Sequence, residues 1–220
     1  MSIFITDLFC EDKTLAWKYL AGYQYPWEVI PHIGDIIDIL TSTLSSDEYN
    51  DLGDDIYIAK DAGIFPNTQI YGPCIIGHNT EVRPGAFIRG NAIIGSNCVI
   101  GNSTEVKNAI LFDKVQVPHF NYVGDSILGY GAHLGAGAVT SNLKSDRSVI
   151  KVHLEKTDLD TGLIKFGAIL GDHCEVGCNS VLNPGCIVGK NTIIYPLSNV
   201  RGVIDPDMIY KTPYDICEKN

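Results

Sequence analysis

From Ile58 onward the chain sets an aliphatic residue at every sixth position: Ile58, Ile64, Ile70, Ile76, Val82, Ile88, Ile94, Ile100 and Val106. The same period returns at Leu170, Val176, Leu182, Val188, Ile194 and Val200. Four residues after these aliphatics stand small residues, among them Ala62, Thr68, Cys74, Thr80, Ala86, Ala92, Cys98 and Thr104, and later Cys174, Ser180, Cys186, Thr192 and Ser198. Gly directly follows the aliphatic at Gly77, Gly95, Gly101, Gly171, Gly177 and Gly189. Asn follows three later at Asn67, Asn79, Asn91, Asn97, Asn179 and Asn191, a residue that tolerates the left-handed backbone of tight corners.

A period of six fits neither the 3.6 residues of a helical turn nor a simple two-residue alternation. It fits a strand of three or four residues followed by a corner. Three such sides close a coil of 18 residues, and coils stack by parallel strand pairing at about 4.8 Å. The predicted fold is therefore all-β, a parallel β-helix of hexapeptide repeats with about six coils. The large aliphatic and the small residue both point inward.

Residues 56–205 carry this period. Residues 1–55 lack it and read as a short helical appendage, with helices over Asp12–Gly22 and His32–Leu44, packing on the first coil. Residues 206–220 lose the period and read as a C-terminal tail. The pattern breaks twice in between. Val106 and Leu128 are 22 residues apart, which is not a multiple of six. Leu134 and Leu170 keep the phase, but 143–164 is a polar stretch that reads as a loop thrown out of the solenoid.

Charge narrows the function. The net charge of -10 disfavours a protein that coats nucleic acid or an anionic membrane. No run approaches the roughly 18 apolar residues of a spanning helix, and no basic segment precedes an apolar stretch at the start, so a cytoplasmic location is expected. The odd count of 7 Cys argues against a disulfide framework, and four of them fall in the small inward column. His173, Cys174 and Cys178 are the nearest approach to a metal cluster, but the repeat already accounts for Cys174. His119, His133, His153 and His173 are spaced 14, 20 and 20 apart, which does not supply the close His pair of a zinc hydratase site on such a solenoid. No metal ligands are assigned.

The first break holds Pro118-His119-Phe120-Asn121-Tyr122-Val123-Gly124-Asp125, and Gly135-Ala136-Gly137 follows with Asn142 five residues on. Upstream lie Val82-Arg83-Pro84-Gly85 and Glu105-Val106-Lys107. In these segments the sequence resembles the C-terminal domain of the bifunctional sugar-1-phosphate nucleotidylyltransferase/N-acetyltransferases, over roughly residues 55–205. The resemblance implies a left-handed β-helix and a homotrimer with acetyl-CoA bound between subunits. It implies an acetyl-CoA-dependent N-acetyltransferase acting on glucosamine or galactosamine 1-phosphate. Transfer from a thioester needs no metal. No Gly-rich L-x-G-x-G-T-R-type segment is present, so nucleotidyl transfer is not carried over.

The resemblance also assigns residues. His119 matches the general base that takes the proton of the sugar amine, a role that suits a group titrating near neutrality. Arg83 and Lys107 match positions that hold the sugar phosphate. Tyr122 matches a sugar contact, and His133 stands where many members carry a substrate-binding Asn. Asn142 matches a residue at the transfer site that orients the amine or a hydroxyl. Ala136 and Cys178 match positions along the CoA arm. Apart from the resemblance, the cations Lys144, Arg147 and Lys151 of the loop are candidates to meet the phosphates of CoA or of the sugar, and Lys151 is assigned to CoA. Leu143 replaces a Tyr common after the Asn, which leaves the hexosamine open. Each residue also has a plainer reading, as a turn histidine, a corner aromatic or a solvated cation. The alternative for the whole chain is a non-catalytic trimeric module that binds a sugar nucleotide or regulates a partner.

Overall fold

The computed structural model describes residues 3–154 and 157–219. The chain is a parallel β-helix with three faces. Inward residues of the first face are Ile58, Ile76, Ile94, Leu111, Leu128, Leu170, Val188 and Ile204, paired in parallel register from coil to coil. The second face stacks Ile64, Val82, Ile100, Val117, Leu134, Val176, Ile194 and Tyr210. The third stacks Ile70, Ile88, Val106, Val123, Thr140, Leu182 and Val200. Eight coils result rather than six, because the stretch between the two regular blocks builds coils of its own.

The small inward column has a chemical reason. Its hydroxyls sit under the corners and satisfy corner carbonyls: Thr80 Oγ1 donates to Gly95 O at 2.7 Å and Thr104 Oγ1 to Val117 O at 3.0 Å. Cys98 and Cys174 do the same with their thiols, toward Phe112 O and Gly189 O. Buried polar groups are tolerated in this core because each is paired.

The 22-residue break resolves into steps of five, six, six and five: Val106 to Leu111, Val117, Val123 and Leu128. Both five-residue steps fall at the corner between the third and first faces. The coil before them turns there through Gly90 and Asn91, both with positive φ. The two short corners turn on one such residue each, Asn108 and Asp125. Two coils of 17 residues follow coils of 18, with no loss of strand register.

Leu128 pairs with Leu170, so the polar stretch adds 24 residues to one 18-residue coil and leaves the stack intact. It is not a structureless loop. Lys151–His153 and Asp158–Asp160 form an antiparallel pair, and Ile150 and Val152 are buried. The insertion lies against the corner at Gly185, whose Cβ position is 2.7 Å from Ile150.

The N-terminal segment does not simply cap the first coil. It runs along the first face. Leu8 O accepts from Asp172 N on the sixth coil at 3.0 Å, and Phe9 packs on Phe112 with ring centroids 4.8 Å apart. Helix Ile33–Thr41 buries Ile33, Ile36, Ile37 and Leu40. Tyr49–Asp51 then pairs antiparallel with Ile56–Ala59 of the first coil. The helix expected over Asp12–Gly22 shrinks to Trp17–Leu20. The residues around its expected start are held instead by the solenoid, through Cys10 N to Asp172 Oδ2 and Asp113 N to Lys13 O. At the other end the stacking continues through Tyr210, and Met208–Thr212 and Asp215–Glu218 close the stack as an antiparallel pair. Among the described residues no helix is long and apolar enough to cross a membrane.

Candidate functional site

His119 ends the strand Gln116–His119 at the corner between the second and third faces. The next residue, Phe120, has φ +52° and is 62% exposed, an unusual backbone for a bulky side chain. Asn121 makes this corner possible. It occupies the small inward position, is buried, and donates from Nδ2 to Gly135 O and Ala138 O at 2.8 and 3.0 Å. Its Oδ1 accepts from His119 N at 3.1 Å. The His119 backbone is thereby fixed while its side chain stays exposed. His119 O accepts from Gly137 N, and Ala136 O from Asn179 N, on the following coils. His119, Ala136 and Cys178 thus form one column along this corner, two residues after Val117, Leu134 and Val176.

The third face begins with Tyr122. Its ring folds back over Gly124, so that a Cβ there would lie 2.4 Å from the Tyr122 hydroxyl. That hydroxyl accepts from Asn142 Nδ2 at 3.1 Å. Burial first, and then the charge of Asp125, push the Tyr122 pKa up. At the far end of the face, Asn108, Asp125 and Asn142 stack on three successive coils. Asp125 is 3% exposed. Asn108 Nδ2 donates to its Oδ1 at 2.8 Å, and Asn142 Nδ2 donates to its Oδ2. Lys107 Nζ lies 3.5 Å from Oδ2. A buried carboxylate with two amide donors and a cation is well satisfied.

The structure therefore brings Lys107, Tyr122 and Asn142 into one network. It sets His119, Ala136 and Cys178 at the opposite edge of the third face, so His119 and Asn142 do not meet within one chain. Arg83 lies two coils before His119 and forms a fork onto Glu81 Oε2 at 3.0 and 2.9 Å. His133 is on the outer second face, with Nδ1 2.7 Å from Glu175 Oε2. Lys151 lines a groove of about 460 Å³ between the insertion and the last coils, with Lys144, His153, Pro184 and Arg201. Cys174 is buried and Cys178 exposed, and among the described residues no group of three His, Cys, Asp or Glu side chains is placed to hold a metal ion.

Asp125, Asn121 and Gly124 carry this geometry without having been singled out in the sequence. One signal was available for the first: Asn108, Asp125 and Asn142 are spaced by 17, the length of the shortened coils.

Residues 70–157 match the model of the GMPPB C-terminal domain, and residues 167–202 match six bacterial transferase hexapeptide repeats. A bifunctional sugar-1-phosphate nucleotidylyltransferase/acetyltransferase of Sulfurisphaera tokodaii is 32% identical over 78% of this chain and 43% of its own length. The bifunctional protein GlmU of Methanococcus aeolicus is 32% identical over 94% of this chain and 52% of its own. The chain is a homologue of the acetyltransferase part of these bifunctional proteins. It spans about half the length of the curated relatives it matches. Among solved structures, the UDP-N-acetylglucosamine acyltransferase of Campylobacter jejuni is similar at 17% identity and TM-score 0.41, covering 73% of each chain. In this hexapeptide-repeat homologue the Pro-His-x-x-Tyr-x-Gly-Asp segment occupies the second corner and the whole third face of one coil.

Proposed function

We propose that this protein is an acetyl-CoA-dependent N-acetyltransferase acting on an amino-sugar 1-phosphate, glucosamine or galactosamine 1-phosphate. The observation that carries the reading is the Lys107–Asp125–Asn142–Tyr122 network on the same coils as the exposed, backbone-braced His119. The Sulfurisphaera tokodaii relative, named for sugar-1-phosphate nucleotidyl transfer and acetyl transfer, supports the same reading.

In this proposal the amine nitrogen attacks the thioester carbonyl carbon. His119 takes the proton released from the amine, the C–S bond breaks, and the proton passes to the leaving CoA thiolate. Lys107 and Arg83 hold the sugar phosphate, each exchanging part of an intramolecular carboxylate contact for it. Tyr122, Asn142 and His133 contact the sugar. The backbone along Ala136 and Cys178 lines the pantetheine arm, where N–H groups oppose the developing oxyanion. His119 and Asn142 lie on opposite edges of one face, and Lys151 lies on the Asn142 side, in the groove where the insertion meets that corner. A homotrimer that sets one protomer's corner against the face of its neighbour closes such a site.

The test is thiol release from acetyl-CoA with each sugar phosphate, alongside calorimetry of CoA binding. Turnover with either sugar supports the proposal. The absence of both turnover and CoA binding overturns it in favour of a non-catalytic module. Light scattering tests the assembly, since a monomer at micromolar concentration contradicts a site shared between subunits.

A further inference from the structure

We infer that Asp125 is a positioning residue that fixes which way the Asn142 carboxamide faces. Asn142 thereby presents its carbonyl oxygen, and not its NH2, to the acceptor. The inference rests on the proposed acetyl transfer for its kinetic meaning and on hydrogen-bond geometry for its physical basis.

A carboxamide has two donors on nitrogen and lone pairs on oxygen. Both Asn142 donors are consumed, one by Tyr122 Oη and one by Asp125 Oδ2. Turning the amide over would place its oxygen against a carboxylate. Asp125 cannot turn away to relieve that clash, because Asn108 donates to its other oxygen at 2.8 Å. The carboxylate is thus an acceptor on both sides, held by neighbours on the coils before and after.

Two consequences reach the half-buried surface of the site. Asn142 Oδ1 has no hydrogen-bond partner among the described residues and is left to accept from an N–H or O–H of the sugar. Tyr122 Oη accepts from Asn142, so its own proton is left to be donated outward. The site then offers the acceptor one donor and one acceptor in fixed order. A bound sugar amine meets an oxygen that directs its hydrogens and leaves the nitrogen lone pair for attack.

Asp125→Asn removes the charge at nearly constant volume and lets the Asn142 amide take either orientation. The expected result is a kcat at least tenfold lower in thiol release, with KM for acetyl-CoA within twofold and the melting temperature checked beside it. Asn142→Asp sets two carboxylates together and is expected to fall as far. The double variant Asp125→Asn/Asn142→Asp rebuilds the pair in reverse, with a nitrogen at 125 and an outward oxygen at 142. It is expected to recover at least threefold over the poorer single variant. A merely structural role predicts no recovery. NMR of the Asn142 side-chain NH2 in the unmodified protein should show slowly exchanging protons that quicken in Asp125→Asn. Singles within twofold of the unmodified kcat, or an additive double variant, overturn the inference. Absence of turnover in the unmodified protein overturns the proposed function instead, and a rapidly exchanging Asn142 amide there overturns the orientation itself.

Discussion

The Tyr122 ring lies across Gly124, and only the missing side chain at 124 lets its hydroxyl reach Asn142. A Cβ at Gly124 would stand 2.4 Å from that hydroxyl and 2.7 Å from the ring carbon that bears it. Gly124→Ala therefore moves the tip of Tyr122, not the backbone. We expect the melting temperature to change little and kcat/KM for the sugar phosphate to fall about 10- to 100-fold, the usual result of displacing a positioning group by about an ångström. Steady-state kinetics beside thermal melts separates this from misfolding.

His119 is exposed, and its backbone N–H and C=O are held by Asn121 Oδ1 and Gly137 N. His119→Ala should leave the fold intact and lower kcat by about 100-fold or more, the contribution of a positioned general base. A rate within a few fold of the unmodified protein would remove His119 from that role.

Thr140 stands where every neighbour in its column is aliphatic. Its side chain is buried, and its Oγ1 accepts from Gly124 N at 2.9 Å. Thr140→Val keeps the shape and strands that N–H in the core. A loss of about 1–3 kcal/mol in unfolding free energy is expected by denaturant titration. Because Gly124 is the donor, activity should fall with it.

The cysteines divide into buried Cys74, Cys98, Cys174 and Cys186 and exposed Cys10, Cys178 and Cys217. Burial pushes Cys74, Cys98 and Cys186 up to about 12, and raises Cys174 as well. Native protein should react with a maleimide at three thiols, and at Cys178 more slowly when acetyl-CoA is bound. A fourth fast thiol would contradict the packing.

The same burial gives a pH dependence. Below the ordinary thiol value of 9.0 both folded and unfolded chains keep these protons, so the full stability is present. Above it only the unfolded chain releases them, which favours unfolding. Stability should decline as pH rises from about 9 toward 12, and substituting Ala at Cys74 should flatten that decline.

The sequence period made the inward residues legible, from Ile58 through Val200, because each stacked coil repeats the same local demand. The eight-coil count was not legible, because Leu111, Val117 and Val123 continue the stack after a five-residue step that breaks the arithmetic. Nor was the path of the N-terminal segment. Asp172 and Asp113 hold residues 8–13 by tertiary hydrogen bonds that leave no local pattern. At the candidate site, Lys107, Tyr122 and Asn142 were recognisable from their motif. The role of Asp125 was not legible, since a carboxylate after Gly reads as an exposed turn residue until the coils before and after it are in place.

The two 17-residue coils work like a vernier against the 18-residue ones. Removing one residue from a corner draws its single left-handed residue to a fixed height, twice in succession, and the step after Thr140 puts Asn142 at the same height. The chemistry of this edge is thus written in the chain's length rather than only in its composition. Restoring one residue after Lys107 or Gly124 would keep every amino acid of the site and still dismantle it.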